Sequence, residues 1–434
     1  MNTTKPTCAF YGAVDTFSGY GSRARDIAKA LIEIKGEEWD IKIISCRWGN
    51  TPKGFIESDK EWEFLNKYII EGTQLPAQPD YMIWNTIPSE AQVVGKYNIL
   101  ITAGIESTIA PAEWVEGCQR MDLVLGSSKH TIDVLRSSKF EKRDQKTNQL
   151  VGNIEWTKPG DTLLEGANTE KYKPLSKVDF DLSQVKEDFA YLFVGHYMNG
   201  DIGEDRKNVS LLIKAFYETF KNKTKKPALI LKTTAVGSSY MDRNEIIRRI
   251  KLIKETCKSS NLPNVYLVHG DFSDEEMNEI YNHPKVKSMV SLTKGEGWGR
   301  PLLEFSLTNK PIIATNWSGH LDFLKPEFTS LLPGHLTPIH PSAANNMLLK
   351  EASWFSVDHG SVGNKLKDVY ENYKAYSELS KRQGYHSRTN FSFDNMKDKF
   401  SKILDNLPKV AQQVQLKLPK LENKSIQLPK LQKV

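Results

Sequence analysis

Short apolar segments alternate with longer amphipathic segments along most of this chain, and the alternation occurs twice. In the first half, apolar runs predict six strands, at residues 8–11, 41–44, 81–84, 98–102, 123–125 and 162–165. A glycine-containing loop at 15–21 follows the first strand and leads into a helix predicted over 23–34. Strands that alternate with helices in this way predict a parallel sheet covered by helices.

The pattern restarts after a polar stretch at 176–188, which we interpret as a linker. Five more strands are predicted, at residues 190–194, 228–231, 265–268, 288–292 and 311–315. Helices are predicted between and after them, at residues 209–221, 243–257, 274–282, 301–308, 364–382 and 393–407. Because ligands of open parallel sheets bind outside the carboxyl ends of the strands, a cleft between two such domains is the expected site.

These patterns predict an α/β protein with two doubly wound, Rossmann-like domains facing each other across a cleft. The length of 434 residues suits such a division. We place the first domain at 1–180, the second at 187–390, and a C-terminal helix that crosses back to the first domain at 391–407. A tail follows at 408–434.

Positive charge is concentrated in this tail. Residues 408–434 contain six lysines and one glutamate, a net charge of +5, which leaves +1 of the total +6 for the rest of the chain. A Leu-Pro-Lys motif recurs there every 10 or 11 residues, and its prolines exclude a continuous helix. We predict either a basic tether for nucleic acid or a membrane surface, or a strap that packs on the body.

Cysteine usage and hydropathy exclude several classes of protein. The four cysteines, Cys8, Cys46, Cys118 and Cys257, are too far apart for a zinc knuckle or a redox dithiol. No apolar run reaches the roughly 18 residues of a membrane span, and the polar first five residues do not begin a signal peptide. We expect a cytoplasmic protein, in the host cytoplasm if it is viral.

The segment at 291–304 contains the densest set of candidate functional residues, with the sequence SLTKGEGWGRPLLE. A predicted strand ends at Leu292, glycines interrupt the next loop, and Pro301 suits the first turn of a helix. Glycines let backbone N–H groups approach a ligand, and the free amides at a helix start favour an anion such as phosphate. Two acids, Glu296 and Glu304, flank the loop and favour a binding site over a simple turn.

Glu296 and Glu304 have the spacing of the E-x7-E motif of retaining glycosyltransferases with the GT-B fold. The stretch GEGWGRPLLE resembles the central motif of glycosyltransferase family four, and segments at 18–24, 104–106, 113–128 and 166–174 resemble other parts of that family. The resemblance covers most of the chain. It implies that the first domain binds an acceptor, that the second binds a nucleotide-diphosphate sugar, and that a sugar, expected to be a hexose, is transferred with retention.

The resemblance also implies roles for individual residues. Glu304 would bind the two ribose hydroxyls of the donor, since a carboxylate can accept two hydrogen bonds from a diol. Glu296, with backbone N–H groups of residues 297–299, would bind hydroxyls of the donor sugar. Lys207 would neutralise the departing diphosphate. The other residues assigned to donor binding are Gly297, Trp298, Gly299, Arg300, Gly19, Gly21 and Lys232.

One position departs from the family pattern. The family has an arginine directly after the glycine that ends a preceding strand, and this chain has His196 there. Either His196 takes part itself, or Arg206, which follows the inserted residues 199–204, has taken the role of that arginine. Both therefore join Lys207 and Glu296 as candidate catalytic residues.

No metal or cofactor is expected apart from the sugar donor. Asp179 and Asp181 form a D-x-D, the metal-binding motif of the other large glycosyltransferase fold, but they lie in the linker without a preceding apolar strand. Lys207 would instead meet the charge of the diphosphate. Glu106 is a further candidate, as an acceptor ligand or a proton acceptor.

We therefore predict a glycosyltransferase acting on a hydroxyl of a glycan, a lipid-linked acceptor or another acceptor. Two alternatives stay open. In one, the acceptor is a hydroxymethylated base in DNA, as in bacteriophage enzymes. The tail favours this alternative, since it resembles endings of tailed-phage proteins, and the nearly neutral charge of the body argues against it. In the other, the chain is a non-catalytic sugar-nucleotide-binding or scaffold protein, which the intact Glu296, Glu304 and Lys207 argue against.

Overall fold

A computed structural model describes residues 5–144, 146–235 and 237–410. The tail predicted at 408–434 therefore lies, apart from its first three residues, outside the described residues. Within the described ranges, no helix combines the length and the apolar character that crossing a membrane requires.

The first half of the chain forms a six-stranded parallel sheet and a separate hairpin. The strands are, in chain order, β1 (Thr7–Gly12), β2 (Asp40–Ser45), β3 (Tyr81–Asn85), β4 (Tyr97–Thr102), β5 (Leu123–Gly126), β6 (Phe140–Arg143), β7 (Leu150–Ile154) and β8 (Gly160–Thr162). The sheet has the order β2-β1-β3-β4-β5-β8, and β6 pairs antiparallel with β7 as the hairpin. The strand order reverses direction between β1 and β3, which opens a crevice at their carboxyl ends.

Four helices accompany this sheet, namely α1 (Gly19–Lys35), α2 (Phe55–Ser58), α3 (Ala112–Arg120) and α4 (Lys129–Ser137). Short 3-10 helices occur at Lys60–Lys67 and Pro88–Glu90. The N-cap of α1 is Ser18, whose hydroxyl oxygen accepts a hydrogen bond from the Gly21 N–H at 2.9 Å. The helix then buries Ile27 and Leu31 in the core of the first sheet.

The second half forms another six-stranded parallel sheet, followed by an antiparallel hairpin. Its strands are β9 (Ala190–Val194), β10 (Ala228–Lys232), β11 (Val265–Val268), β12 (Val286–Ser291), β13 (Ile312–Thr315), β14 (Ser330–Leu332), β15 (Gly334–Pro338) and β16 (Ser353–Val357). The sheet order is β11-β10-β9-β12-β13-β14, the strand order of a dinucleotide-binding Rossmann fold. Its order reverses between β9 and β12.

The described residues of this half form seven helices, namely α5 (Val209–Phe220), α6 (Tyr240–Thr256), α7 (Asp274–Asn282), α8 (Arg300–Ser306), α9 (His359–Glu371), α10 (Tyr373–Asn390) and α11 (Phe393–Asp405). A 3-10 helix occurs at Gly319–Asp322. Side chains of α5, among them Phe216, pack on β9 and β10, and α7 and α8 cover the other face of the sheet.

Two segments of the second half pack on the first. Met396, Phe400 and Leu404 of α11 are buried in the core around the first sheet, next to α1. The hairpin β15–β16 covers another part of the first half, where Trp354 is fully buried. The Thr108 N–H donates to the Ser353 carbonyl at 2.9 Å and ties this hairpin to the loop after β4.

The α/β architecture predicted from the alternation is confirmed, and several local predictions differ from the observed elements. The helix predicted over 364–382 is divided into α9 and α10 at Asn372, whose φ of −113° and ψ of 29° are not helical. The strand predicted over 162–165 is Gly160–Thr162, and Leu163 is buried by packing against the first core. Neither antiparallel hairpin was predicted.

Candidate active site

A cavity of about 620 Å³ lies between the two halves. It opens at the carboxyl ends of both sheets, since Ala103 follows β4 and Gly195 follows β9. The predicted site residues that line it are Gly19, His196, Arg206, Lys207, Lys232, Glu296, Gly297, Trp298, Gly299, Arg300 and Glu304. Gly21 is not among the lining residues; a Cβ at that position would come within 2.3 Å of the Thr16 carbonyl oxygen.

Lys207 and Glu296 form an ion pair in the wall of the cavity. The Lys207 Nζ lies 2.5 Å from Glu296 Oε1, and the two side chains are 16% and 11% exposed. Burial lowers the pKa of Lys207, against the attraction of Glu296. Burial opposes ionisation of Glu296 as well, yet Lys207 and Arg206 hold the pKa of Glu296 below its ordinary value. The pair therefore presents a fixed cation and a fixed carboxylate to the cavity.

The backbone before α5 holds Lys207 in place. Asp205 Oδ1 accepts a hydrogen bond from the Val209 N–H at 3.1 Å, and Asp205 Oδ2 accepts one from the Ser210 hydroxyl at 2.7 Å. Asn208 has a left-handed φ of 58°, which asparagine adopts more readily than most residues. Lys207 lies in the loop before α5, and this turn directs the Lys207 side chain into the cavity.

Arg206 connects the two halves. Its Nη1 lies 3.1 Å from Glu106 Oε1 and 4.0 Å from Glu296 Oε2, and it also donates to the Gly295 carbonyl oxygen at 3.1 Å. The guanidinium therefore stands between the loop after β4, which carries Glu106, and the loop after β12. Of the two residues considered for the missing arginine, Arg206 is the one whose side chain reaches Glu296.

The glycine loop after β12 packs closely against the first half. A Cβ at Gly295 would come 2.1 Å from the Glu106 carbonyl oxygen, and one at Gly297 would come 2.4 Å from the Ala103 carbonyl oxygen. Gly299 has a φ of 95°, in the region that favours glycine. We predicted that these glycines let a ligand approach; at Gly295 and Gly297 the closely approaching group is the backbone of the other half.

Glu304 lies on α8 in a buried position. Its Oε2 accepts a hydrogen bond from the Tyr281 hydroxyl at 3.2 Å, and its Oε1 lies 3.2 Å from Arg300 Nε. Burial raises the pKa of Glu304 to about 8, and nearby Asp274 adds to the shift while Arg300 opposes it. The carboxyl group thus sits at the cavity wall with a raised affinity for a proton.

Arg300 binds carboxylates from three different elements. Its Nη1 lies 2.7 Å from Asp26 Oδ2 on α1 and 3.5 Å from Glu165 Oε2 beyond β8, and its Nε lies 3.2 Å from Glu304. All three acids are at most 12% exposed in their side chains. We predicted donor binding for Arg300, which lines the cavity, and its guanidinium also joins α8 to the first half.

We expect Glu304 to make the protein less stable as the pH rises. Its carboxyl pKa is about 8 in the folded chain and 4.5 without the fold, so over that interval only the folded chain holds the proton. By linkage the free energy of unfolding then falls with rising pH, by at most about 1.4 kcal/mol per pH unit. Thermal melts of the parent and Glu304→Gln between about pH 5 and about pH 9 check this. A difference in Tm that stays constant with pH would contradict it.

Three other candidates also line the cavity. His196 is exposed, with its Nδ1 3.2 Å from the Thr234 hydroxyl. Lys232 places its Nζ 5.2 Å from the centre of the Phe272 ring. Trp298 touches the cavity but is only 3% exposed, because its indole packs against Phe323 and other apolar side chains of the second core. Trp298 is thus largely a core residue.

The D-x-D in the linker lies outside the cavity. The Lys177 Nζ is 2.8 Å from Asp179 Oδ1, and Asp181 Oδ1 accepts a hydrogen bond from the Ser183 N–H at 2.7 Å. Among the described residues, no cluster of three or more histidines, cysteines or acids is arranged to hold a metal ion.

The cavity also contains residues that sequence reasoning missed. Asp26, Glu165 and Tyr281 are the partners of Arg300 and Glu304, and none belongs to a recognisable motif. Tyr20 and Trp48 form a stacked pair whose ring centres are 3.8 Å apart. Trp48 could have been found, because it lies just beyond the carboxyl end of a predicted strand.

Comparisons with known proteins point to the fold. No family model matches the chain, and no curated protein sequence matches it. Among solved structures, sucrose-phosphate synthase from Thermosynechococcus elongatus is similar with a TM-score of 0.61 and 13% identity, over 93% of this chain and 98% of that one. HepE from Anabaena, in complex with UDP and glucose, has a TM-score of 0.61 and 12% identity, over 93% and 100%.

A third similar structure is α,α-trehalose 6-phosphate synthase from Burkholderia multivorans, with a TM-score of 0.56 and 9% identity over 93% of this chain and 97% of that one. Each alignment spans nearly the whole of both chains. The shared feature is therefore the arrangement of both sheets and not the fold of a single sheet. This chain therefore has the GT-B fold, with two doubly wound, Rossmann-like domains facing each other across a cleft.

Proposed function

We propose that this protein is a retaining glycosyltransferase that moves a sugar from a nucleotide-diphosphate donor to an acceptor hydroxyl. The observation that carries the proposal is that Lys207, Glu296 and Glu304 line one cavity at the carboxyl ends of two parallel sheets. Phosphates and dinucleotides bind at this place in such sheets. A cation for a diphosphate and two carboxylates for hydroxyl groups are the polar groups that a sugar nucleotide requires.

The proposed chemistry is electrostatic. When the bond between the sugar carbon and the diphosphate breaks, the electron pair leaves with the phosphate oxygen and the sugar ring becomes positive. Lys207, with Arg206 close by, would stabilise the departing charge without having to reorganise, because Glu296 and the turn before α5 already hold Lys207 in place. The acceptor oxygen then bonds to the same carbon, on the face from which the diphosphate left, and the proton of the acceptor hydroxyl passes to the departing phosphate oxygen.

A donor screen tests this proposal. The full chain is incubated with UDP-, GDP-, ADP- and dTDP-sugars, and both the rise in Tm and the release of nucleoside diphosphate are measured, since a bound ligand stabilises the folded state. HepE has been solved with UDP-glucose, which makes the uridine donors the first choice. NMR of the anomeric proton in the product decides between retention and inversion. If no donor either stabilises the protein or is cleaved, the proposal is wrong.

We expect Glu304→Ala to weaken binding of the donor nucleotide. If Glu304 holds the ribose diol, the variant leaves buried hydroxyl groups of the donor without a hydrogen-bond partner, at a cost of about 1–3 kcal/mol or roughly 5- to 150-fold in Kd. Calorimetry with the tightest-binding nucleoside diphosphate measures the loss, and Glu304→Gln should lose less. Glu170→Ala, at a side chain 90% exposed, is the matched control. Equal affinity of the parent and Glu304→Ala would remove Glu304 from the donor site.

We also expect turnover to persist in the presence of a chelator. In the proposed mechanism Lys207 and Arg206 supply the positive charge that a divalent cation supplies in other phosphate sites. Release of nucleoside diphosphate is measured after treatment with EDTA and again after magnesium or manganese is added. Activity that vanishes with EDTA and returns with the metal would show that this account of the phosphate site is wrong.

A further inference from the structure

The half of the cavity that belongs to the first domain has an aromatic wall. Tyr20 and Trp48 stack with their ring centres 3.8 Å apart and their planes 24° apart, and both line the cavity. The Tyr20 hydroxyl accepts a hydrogen bond from the Ala103 N–H at 3.1 Å. Ala103 belongs to the loop that carries Glu106. The aromatic pair and Glu106 are therefore held in a fixed relation to each other.

Glu106 brings a hydrogen-bond acceptor to the same half of the cavity. Its side chain is 26% exposed, and its Oε1 is paired with Arg206 Nη1 at 3.1 Å. A carboxylate offers about four lone-pair positions, so this pairing leaves capacity for ligand hydroxyls. Because Arg206 also stands 4.0 Å from Glu296, Glu106 faces the place where the proposed reaction occurs.

The charges on this wall do not suit a phosphate. Among the described residues of the first half that line the cavity, Arg23 is the one cation, and it donates to the carbonyl oxygens of Leu163 and Leu164. The same half contributes two carboxylates, Glu106 and Glu165. A phosphate on the acceptor would meet these two acids, and the cations beside them, Arg206 and Arg300, are already paired with carboxylates, so the phosphate would be bound at a cost in a partly buried site.

We propose that the acceptor is an uncharged pyranose ring that packs one apolar face on the Trp48–Tyr20 pair and directs hydroxyl groups at Glu106. The proposal rests on the proposed function and specifies the acceptor of the same site. One face of a pyranose carries C–H groups that pack on an aromatic surface, while its rim carries hydroxyls, and this matches a wall that is aromatic beside a carboxylate. Neither a sugar phosphate nor a base in duplex DNA has that charge pattern.

Ligand-observed NMR on the full chain tests the proposal. The probes are methyl pyranosides of glucose, galactose, mannose and N-acetylglucosamine, the 6-phosphates of the same hexoses, and a duplex containing 5-hydroxymethylcytosine. We expect at least one methyl pyranoside to bind. We expect Trp48→Ala to weaken that binding about tenfold or more, Trp48→Phe to retain most of it, and Glu106→Gln to weaken it severalfold. Tyr385→Ala, which removes a ring 70% exposed on α10, is the matched control and should change nothing.

Three results would overturn the proposal: no pyranoside binds, the 6-phosphates or the duplex bind more tightly than every pyranoside, or Trp48→Ala binds as the parent does. Calorimetry with UDP, GDP and ADP on the same variants separates this proposal from the proposed function. Trp48→Ala should bind nucleotide like the parent. A protein that binds no nucleotide and cleaves no donor contradicts the proposed function, while the pyranoside titration still decides whether this wall is a sugar site.

Discussion

Replacement of Lys207 by methionine should lower kcat about 10²- to 10³-fold. That is the usual effect of removing one preorganised group that stabilises charge in a transition state. Methionine keeps much of the length of the side chain, but Glu296 loses the cation that lies 2.5 Å from its carboxylate. The release of nucleoside diphosphate is measured with saturating donor, which gives kcat, and separately with enzyme in excess, which gives the rate of a single turnover. Lys207→Arg should recover part of the rate.

Lys365→Met is the matched control for Lys207→Met. Lys365 also carries an ion pair, 3.1 Å from Asp368, but it lies on α9 and does not line the cavity. The Lys365→Met substitution should leave kcat unchanged. If Lys207→Met keeps the rate of the parent, Lys207 has no part in charge stabilisation and the proposed mechanism fails.

Replacement of Arg300 by methionine should lower the free energy of unfolding by about 3–5 kcal/mol, the usual cost of removing one partner from a buried ion pair. Without the guanidinium, Asp26, Glu165 and Glu304 lose the cation that contacts all three. Denaturant melts followed by circular dichroism measure the loss.

Arg248→Met is the control for this second substitution. Arg248 binds Glu245 through two nitrogens, at 2.7 and 2.8 Å, but its side chain is 63% exposed. An exposed pair contributes at most about 1 kcal/mol, so this variant should unfold nearly like the parent. Equal destabilisation by both variants would show that Arg300 does not act as a tie between the two halves.

The elements that were predicted most accurately are those whose sequence determinants lie within a few residues of one another. The strand predicted at 265–268 and the helix predicted at 274–282 have the bounds of β11 and α7. In α7, Ser273 and Glu276 form a capping box, an interaction that needs no distant partner. The hairpin β15–β16 was missed because its burial depends on Trp354 packing against the first half, which its own sequence does not indicate.

The sequence by itself determined the α/β class, the repetition of the sheet and the group of candidates around Glu296 and Glu304, because hydrophobic periodicity and glycine spacing are local properties of a chain. The tertiary structure alone decided that Arg300 binds Asp26, that Gly297 packs on Ala103, and that Trp48 and Glu106 share a wall of the cavity. These residues are far apart in the chain. Their contacts exist because two separate sheets pack with the carboxyl ends of their strands facing one cavity, and no local pattern encodes that packing.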